Sequence, residues 1–569
     1  MNTGRHLLSV LVWLPALAGL LALFLPRQSP KLLRAYGVAA SLFIFGQSLQ
    51  LLNGTGEAGA ASGFRLVENV EWIPSLGIRY HLAVDGISLW LVLLTTFLTP
   101  ITLYVSFGAI RNRQKEFIAA MLILEAAMIG CFFALDMFLF YVFYEMTLVP
   151  MFLIIGVFGG KNSVYAAVKF FLYTFLGSVF MLLAILYMVM QYKTLTGHYS
   201  FGYLDLMRLG FPIGTERILF AAFTIAFAVK VPMWPVHTWL PDAHTEAPTG
   251  GSMILAAIML KLGTYGILRF SLGLFPLAAH WIGPTIALLA VVGIVYGALA
   301  AWRQYDFKRL VAYSSVSHLG FVMLGLIGRT DSSVSGAMLQ MINHGISTGA
   351  LFLLVGVIYD RRHTRDVAEF GGLAKIMPWY ATVFVAVTMS SIGLPGTNGF
   401  IGEFLVITGS FSSSLLRWSY RCSSGGDCDL AQIGPLFSLI AATGVILGAI
   451  YMLDVVQKVF FGPATNPKND HLPDLNRREW AGLAPLLFMI FAMGLFPNYF
   501  RSRMDPTVHD FLVVYNAKMD ALRDPGGART RAVMLEEAVI RAPSAAAPAA
   551  AEPHAALPLR REALLAQGD

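Results

Sequence analysis

The chain has 569 residues, of which 57% are hydrophobic and only 13% are charged. A soluble globular domain carries about a quarter charged residues, so this composition excludes a soluble enzyme. The formal net charge of +7 does not indicate a nucleic-acid partner either, because Lys and Arg lie in short pieces between apolar runs rather than on one polar face. The composition predicts a protein whose solvent is the lipid bilayer.

Motifs of bound cofactors are missing from the sequence. The three cysteines, Cys131, Cys422 and Cys428, are too few for a disulfide scaffold or a four-thiolate iron–sulfur site. The sequence has no GxGxxG after a strand, no GxxxxGKS/T and no CxxC. We therefore expect no cofactor and no metal in this chain. Cys422 and Cys428 fall in a loop expected to face an oxidising compartment, where they are either bridged or free.

About 14 apolar runs have the length of roughly 20 residues that a helix needs to cross the hydrocarbon core. The first run is interpreted as a transmembrane helix rather than a signal peptide, because no clear cleavage site follows it before Pro26. The sequence thus predicts an all-α polytopic membrane protein. The predicted spans are residues 6–25, 32–52, 84–109, 117–134, 137–158, 164–190, 217–239, 251–273, 281–301, 308–328, 334–359, 379–411, 434–460 and 481–500.

Loop charges predict the orientation of these spans. Lys and Arg are more numerous in the loops that lie inside if the N-terminus is outside. With an even number of spans, the C-terminus is then outside as well. The segment 505–569 has few bulky apolar residues, so we expect a flexible tail. Within it, residues 505–540 have mixed charge and are compatible with a helix, and residues 541–558 are rich in Ala and Pro.

Two spans are interrupted by proline and glycine, and each carries a charged residue at the interruption, Lys230 or Glu403. A proline removes a helix hydrogen bond and frees carbonyl groups to hold water or a cation. Paired interruptions at matching positions indicate two inverted repeats, here of five helices each. The predicted breaks lie at Pro232, Pro235, Pro395 and Gly396. The predicted organisation is helices one to three in 1–110, the first repeat in 111–275, the second in 276–462, helix fourteen in 463–504 and the tail in 505–569.

Titratable groups in mid-membrane carry the strongest functional signal, because each costs several kcal/mol to insert. We expect Glu145 to pair with Lys230, whereas Lys261 has no obvious partner, which suits a central position. For each of these groups a structural ion pair or a hydrogen-bonded core histidine is the alternative. The candidates for a proton relay are Glu145, Lys230, Lys261, His318, His344 and Glu403. Secondary candidates are His237 and Glu125, the latter near enough to a span end for its carboxyl to reach the headgroups.

Five segments carry a resemblance to a known family. They read VDGISLWLVLLTTFLTP, FYEMTLVPMFLIIGVFGG, AFAVKVPMWPVHTWLPDAHTEAPTGGSMILAAIMLKLGTYGILRF, LVAYSSVSHLGFVMLG and GLPGTNGFIGEFL. From about residue 80 to residue 500 the chain resembles the proton-pumping antiporter-like subunits of respiratory complex I, NADH:quinone oxidoreductase. It looks most like the M type, the counterpart of mitochondrial subunit 4, because Glu403 stands where the sister L and N types have a Lys.

The resemblance implies proton translocation driven by quinone reduction elsewhere in the complex, with no redox chemistry in this chain. It implies that Glu145 and Lys230 interact in a first half-channel, that Lys261 connects the halves, and that Glu403 ends the second half-channel after the relay groups His318 and His344. The implied partners are the L and N types in the membrane arm, together with lipid, protons and water. The implied location is the bacterial inner membrane.

Two other functions are compatible with parts of this pattern. A subunit of a multisubunit sodium/proton antiporter or of a membrane-bound hydrogenase would share these helices. A membrane cytochrome would use His237, His318 and His344 as haem ligands, but no helix offers a well-spaced pair of histidines.

Overall fold

The structure, a computed structural model, describes residues 6–55, 64–421, 427–464 and 466–523. Cys422 and the segment 524–569 lie outside these residues, and with them the predictions of a Cys422–Cys428 bridge and of a flexible tail beyond Arg523. Within the described residues the chain is mostly helical, with two short hairpins.

The N-terminal part combines three helices with an antiparallel hairpin. The first helix packs on the fourth, and the second packs on the third. In the hairpin, Leu66 pairs with Val84 and Val70 with Tyr80. The elements are α1 (Leu7–Ala22), α2 (Pro30–Ser48), β1 (Leu66–Ile73), β2 (Ile78–Val84) and α3 (Gly86–Ser106).

The first repeat contains five crossings, of which the fourth is broken after Lys230. Its second crossing is divided at Thr147, and its fifth contains two π-helical turns, Leu255–Met259 and Ile267–Leu272. The helices are α4 (Gln114–Phe133), α5 (Met137–Met146), α6 (Leu148–Phe158), α7 (Ser163–Thr196), α8 (Tyr203–Leu206), α9 (Ile213–Lys230), α10 (Trp239–Glu246), α11 (Thr249–Ile254) and α12 (Leu260–Gly266).

The second repeat has the same plan in inverted orientation, because five is an odd number of crossings. Its fourth crossing is again the broken one, interrupted between Ser391 and Asn398. The elements are α13 (Pro276–Trp302), α14 (Phe307–Gly328), α15 (Asp331–Arg362), α16 (Leu373–Ile376), α17 (Pro378–Ser391), α18 (Asn398–Phe411), β3 (Arg417–Arg421), β4 (Asp427–Gln432) and α19 (Gly434–Val456). The chain continues with α20 (Arg477–Leu495) and α21 (Pro497–Arg523).

The described residues contain 11 helices long and apolar enough to cross a membrane. Three further crossings complete the expected set of fourteen. They are α1, whose 16 residues are slightly short, and the two broken crossings, α9 with α10 and α17 with α18. The prediction of an all-α membrane protein with two inverted five-helix repeats is confirmed.

The crossings at the centre are shielded from lipid by the others. Both α15 and the segment Thr249–Leu272 are wholly buried over their most apolar 18 residues, against 44% for α7 and 39% for Gly434–Phe461. Charged groups avoid the cost of facing hydrocarbon only where protein or water surrounds them. These two central crossings are therefore among the places where the bundle can carry titratable side chains.

The successive crossings give the molecule two faces. The hairpin face carries β1, β2, β3, β4 and α21. A buried ion pair on this face joins Arg269 to Asp85, which also caps α3 through the backbone N–H groups of Ile87 and Ser88. The opposite loop face carries the connections 23–29, 107–113, 159–162, 303–306, 363–377, 462–464 and 466–476.

The prediction of a flexible tail from residue 505 is wrong as far as Arg523. The helix α21 packs on α3, α13 and α15 along the hairpin face. Thr507 accepts a hydrogen bond from the Gly86 backbone N–H, and His509 bonds to Asp331. The Tyr515 hydroxyl accepts from Arg329, and Lys518 donates to the Leu274 carbonyl oxygen. Although bulky residues are few here, those present recur every three or four positions, so they form one buried stripe. The stripe consists of Met504, Val508, Leu512, Tyr515 and Met519.

Candidate functional site

Lys261 and His344 meet at the centre of the molecule. Lys261 Nζ lies 2.6 Å from His344 Nδ1 and donates a second hydrogen bond to the Ala256 carbonyl oxygen at 2.7 Å. Lys261 has no exposed surface, and His344 is 3% exposed. An ammonium donates to a neutral Nδ1, while a neutral amine accepts from a protonated one. One proton can therefore move between these two atoms without either side chain leaving its place.

The partner of Lys261 is invisible in the sequence because it is 83 residues away. Lys261 belongs to α12, the short helix between the two π-helical turns, and His344 belongs to α15. Both crossings are wholly buried over their most apolar 18 residues. The partner of Lys261, which the sequence did not reveal, is thus supplied by a helix of the second repeat.

The contact continues from His344 towards the second broken helix. The rings of His344 and His318 have their centroids 5.8 Å apart. His318 Nδ1 lies 2.9 Å from Glu403 Oε1, and Gln340 Nε2 donates to the same oxygen at 2.9 Å. Four titratable groups from α12, α15, α14 and α18 therefore form a row from the centre to the second break.

Asn398 fixes the geometry of this break. It is the first residue of α18, and its backbone oxygen accepts a hydrogen bond from Asn343 Nδ2 at 2.6 Å. Its own amide returns one to the Asn343 carbonyl oxygen at 3.3 Å. Gly396 has φ +92°, a conformation that is strained for any residue with a Cβ. The predicted break at Pro395 and Gly396 is thus held from α15, the helix that also carries His344.

Lys230 ends α9 and is almost fully buried. Its Nζ donates to Thr147 Oγ1 at 3.1 Å and lies 4.7 Å from the centre of the Tyr144 ring. Glu145 is half-buried, and its Oε1 has no hydrogen-bond partner among the described residues. Glu145 and Lys230 are not among the ion pairs that the described part of the chain forms within 4.0 Å. The expected direct contact is replaced by Thr147, at the junction of α5 and α6.

Gly263 brings the two lysine-bearing helices together. A Cβ on Gly263 would lie 2.7 Å from the Phe227 carbonyl oxygen and 2.9 Å from the Val231 nitrogen. Only glycine permits this approach, because backbone atoms cannot move aside as a flexible side chain does. The turn of α12 that follows Lys261 therefore rests directly on the end of α9, where Lys230 is located.

The two secondary candidates are both buried. Glu125 lies within α4 with no exposed surface, so the expectation that its carboxyl reaches the headgroups is wrong. The span boundary alone did not reveal that neighbouring helices cover this part of α4. His237 lies between the two parts of the first broken crossing, with its ring 5.1 Å from the Tyr296 ring. Among the described residues, neither forms a hydrogen bond, ion pair or ring contact with the row that runs from Lys261 to Glu403.

Sequence reasoning missed His244. It lies on α10, has no exposed surface and stacks on Phe352 with the ring centroids 4.5 Å apart. Neither ring nitrogen has a hydrogen-bond partner within the described part of the chain. Its position in the interrupted segment, seven residues after His237, is the signal that could have identified it. Lys308 is buried nearby and donates to the Ala247 carbonyl oxygen at 2.6 Å.

These groups share one chemical property, which is the ability to exchange protons. We call Glu145, Lys230, Lys261, His344, His318 and Glu403 the polar file. Amine, imidazole and carboxyl groups all bind and release protons, and low-dielectric surroundings make each state sensitive to the charge of its neighbours. Among the described residues, no group of three or more His, Cys, Asp and Glu side chains is placed to hold a metal ion.

Known proteins share both the sequence and the fold of this chain. Residues 134–423 match the family model described as NADH:quinone oxidoreductase/Mrp antiporter, TM. NADH-quinone oxidoreductase subunit M of Rhodobacter capsulatus is 44% identical over 529 residues, which cover 91% of this chain and 98% of that protein. NADH-ubiquinone oxidoreductase chain 4 of Arabidopsis thaliana is 43% identical over 512 residues, covering 89% and 97%.

A solved structure agrees with these relatives. A chain in the structure of respiratory complex I from Thermus thermophilus with bound NADH superimposes with a TM-score of 0.77 at 29% identity, covering 89% of this chain and 99% of that one. The relatives match nearly their whole length, and the family model covers both broken crossings and the polar file. The chain belongs to the subunit M family of NADH-quinone oxidoreductase, the antiporter-like membrane subunits of respiratory complex I.

Proposed function

We propose that protons pass through this chain along the polar file, from Glu145 and Lys230 through Lys261 to Glu403. The observation that carries the proposal is the contact of Lys261 with His344, because it joins the two repeats. The chain is a proton-translocating subunit of an oxidoreductase complex, and quinone reduction in other subunits drives the transfer.

The transfer in the second half follows from the donors and acceptors present. An ammonium at Lys261 passes its proton to Nδ1 of a neutral His344, whose Nε2 can then release one. The ring centroids of His344 and His318 are 5.8 Å apart, so this step needs an intervening water molecule or a ring rotation. His318 next exchanges a proton with Glu403 across 2.9 Å.

The first half supplies the change of charge that drives Lys261. The Lys230 ammonium donates a hydrogen bond to Thr147. Glu145 lies two residues before Thr147, in the last turn of α5. A proton that reaches Glu145 removes the negative charge that stabilises the Lys230 ammonium. Lys230 then releases its proton more readily towards Lys261, because α12 rests on the end of α9 at Gly263.

The neighbouring subunits and the membrane location that we propose follow from the family of this chain. The neighbours in the membrane arm are antiporter-like subunits of the L and N types. The chain lies in the bacterial inner membrane with the loop face inside, since the loop face carries the excess of Lys and Arg. Both termini are then on the outer side, with α21.

The test compares two buried lysines in the assembled complex. Lys261 belongs to the polar file, whereas Lys518 on α21 bonds to the Leu274 carbonyl oxygen outside it. Lys261→Met is expected to lower the number of protons moved per electron, and Lys518→Met is expected to leave this ratio unchanged. Both are measured in proteoliposomes with a pH-sensitive dye during NADH oxidation. An assembled Lys261→Met complex with the normal ratio would show that protons do not use this file.

A further inference from the structure

We propose that a basic cleft on the loop face binds the phosphodiester headgroup of an anionic glycerophospholipid. The cleft has a volume of about 130 Å³, well above the 10–15 Å³ or so that a single water molecule requires. It lies between the α1–α2 connection and the α3–α4 connection. The charged residues of its lining are Arg27, Arg111, Arg113, Lys115 and Glu116.

The charge of this lining is strongly positive. Four of its side chains are cationic, and the single acid, Glu116, already pairs with Arg27. Lys115 donates to the Leu23 carbonyl oxygen at 2.8 Å. Arg111 and Arg113 are exposed and form no hydrogen bond or ion pair through their side chains with other described residues. Two guanidinium groups thus remain available for an anion.

Two helices begin at the same cleft and add to its positive potential. The helix α2 starts at Pro30 and α4 at Gln114, with 19 and 20 residues respectively. Neither has a side-chain hydrogen bond at its N-cap, Ser29 or Arg113. The first N–H groups of a helix carry partial positive charge and bind phosphate oxygens where no cap satisfies them. Guanidinium groups and helix termini therefore converge on one volume.

The walls beside the cleft favour a lipid over a free phosphate. Immediately next to it, α1 ends and α2 begins with large apolar side chains that are exposed on the surface. Phe24 is 84% exposed, and Leu21 and Leu32 are 59% and 49% exposed. The cleft lies at the level where the apolar crossings end, which is the level of the headgroups. A headgroup in the cleft would place its acyl chains along α1 and α2.

The experiment uses phosphatidylglycerol with a photoreactive acyl chain, added to the assembled complex in lipid nanodiscs. In the unmodified complex we expect adducts on peptides from α1 and α2, and few with a matched phosphatidylcholine probe. Arg111→Gln with Arg113→Gln should weaken labelling by about 25-fold, because each basic group near a lipid headgroup contributes roughly fivefold in affinity.

The matched control removes two other exposed cations of the loop face, Arg303 and Lys375, by Gln substitution. This pair should label as the unmodified complex does, and excess inorganic phosphate should not compete. Equal labelling by phosphatidylcholine, or unchanged labelling of the Arg111 and Arg113 variant, would overturn the proposal. Loss of labelling upon addition of phosphate alone would also overturn it, since the cleft would then be a site for free phosphate.

Discussion

Lys261 Nζ and His344 Nδ1 lie 2.6 Å apart, between two crossings whose most apolar 18 residues are wholly buried. The contact joins the fifth crossing of one repeat to the third crossing of the other. Each group is the other's hydrogen-bond partner, and both side chains are buried. Changes at either residue should therefore affect transfer between the repeats before they affect the fold.

We expect His344→Leu to slow proton transfer through this chain by about 100-fold or more, the usual contribution of a positioned proton-transfer group. The Leu side chain fills similar space, so assembly and NADH oxidation of the uncoupled complex should persist. The measurement is the initial rate of dye quenching in proteoliposomes. The control is His198→Leu on the hairpin face, where the ring is exposed. A normal quenching rate for His344→Leu would contradict the assigned role.

Asn343→Leu should destabilise the second broken crossing. The substitution leaves the backbone oxygen of Asn398 without its buried donor, which costs about 1–3 kcal/mol. The midpoint of thermal unfolding of the purified complex, followed through this subunit, measures the effect. Thr382→Ala removes only an exposed bond within α17 and should leave the midpoint unchanged. Equal midpoints for both variants would show that Asn343 does not hold the break.

Gly263→Ala should separate α12 from α9. The added Cβ meets the backbone at Phe227 and Val231, so the helices must move, at a cost of about 1–3 kcal/mol. Gly349→Ala is the matched control on α15, where a Cβ meets no atom within 4 Å. It should be neutral or slightly stabilising. Both are compared by thermal unfolding and by the number of protons per electron, and only Gly263→Ala should lower the latter.

His244→Phe tests whether this histidine supplies protons from the loop face. A phenyl ring preserves the stacking on Phe352, so stability should change by less than about 1.5 kcal/mol. If the imidazole delivers protons towards Lys261, the rate of proton uptake falls while the fold remains intact. His471→Phe, at an exposed position of the same face, is the control. An unchanged uptake rate would remove His244 from the pathway.

The docking of α21 should depend on pH through Lys518. Burial lowers the pKa of Lys518 to about 8, although the nearby Glu216 carboxylate opposes this shift. Between pH 8 and the ordinary value near 10.5, the undocked helix binds more protons than the docked one, so docking becomes more favourable as pH rises. Amide exchange protection across residues 504–519 should therefore increase over this interval. Lys518→Met should abolish the trend, and a persistent trend in that variant would assign it to another group.

The sequence predicted the broken crossings and the groups of the polar file for direct physical reasons. Pro232 and Pro395 each remove a helix hydrogen bond and interrupt the helix. A charged side chain such as Lys230 is costly to bury in a bilayer, so its presence there indicates a function. The contact between Lys261 and His344 could not be predicted, because it depends on how two distant helices pack. The same holds for Thr147, whose hydroxyl faces Lys230 in place of Glu145.

The two hairpins and the docking of α21 were missed for a different reason. Both hairpins and most of α21 lie outside the apolar runs, and a search for membrane spans passes over them. In α21, Met504, Val508 and Leu512 have helical spacing, but their average hydropathy is diluted by the charged residues between them. The search thus identified crossings well and overlooked structure on the hairpin face.

The polar file has a consequence for direction. Under the proposed function, protons pass from the carboxyl of Glu145 through two amines and two imidazoles to the carboxyl of Glu403, and each of these transfers is reversible. A chain of reversible transfers sets no direction by itself. Forward transport must then arise from what opens and closes the two ends, with the buried groups serving as a reversible conductor.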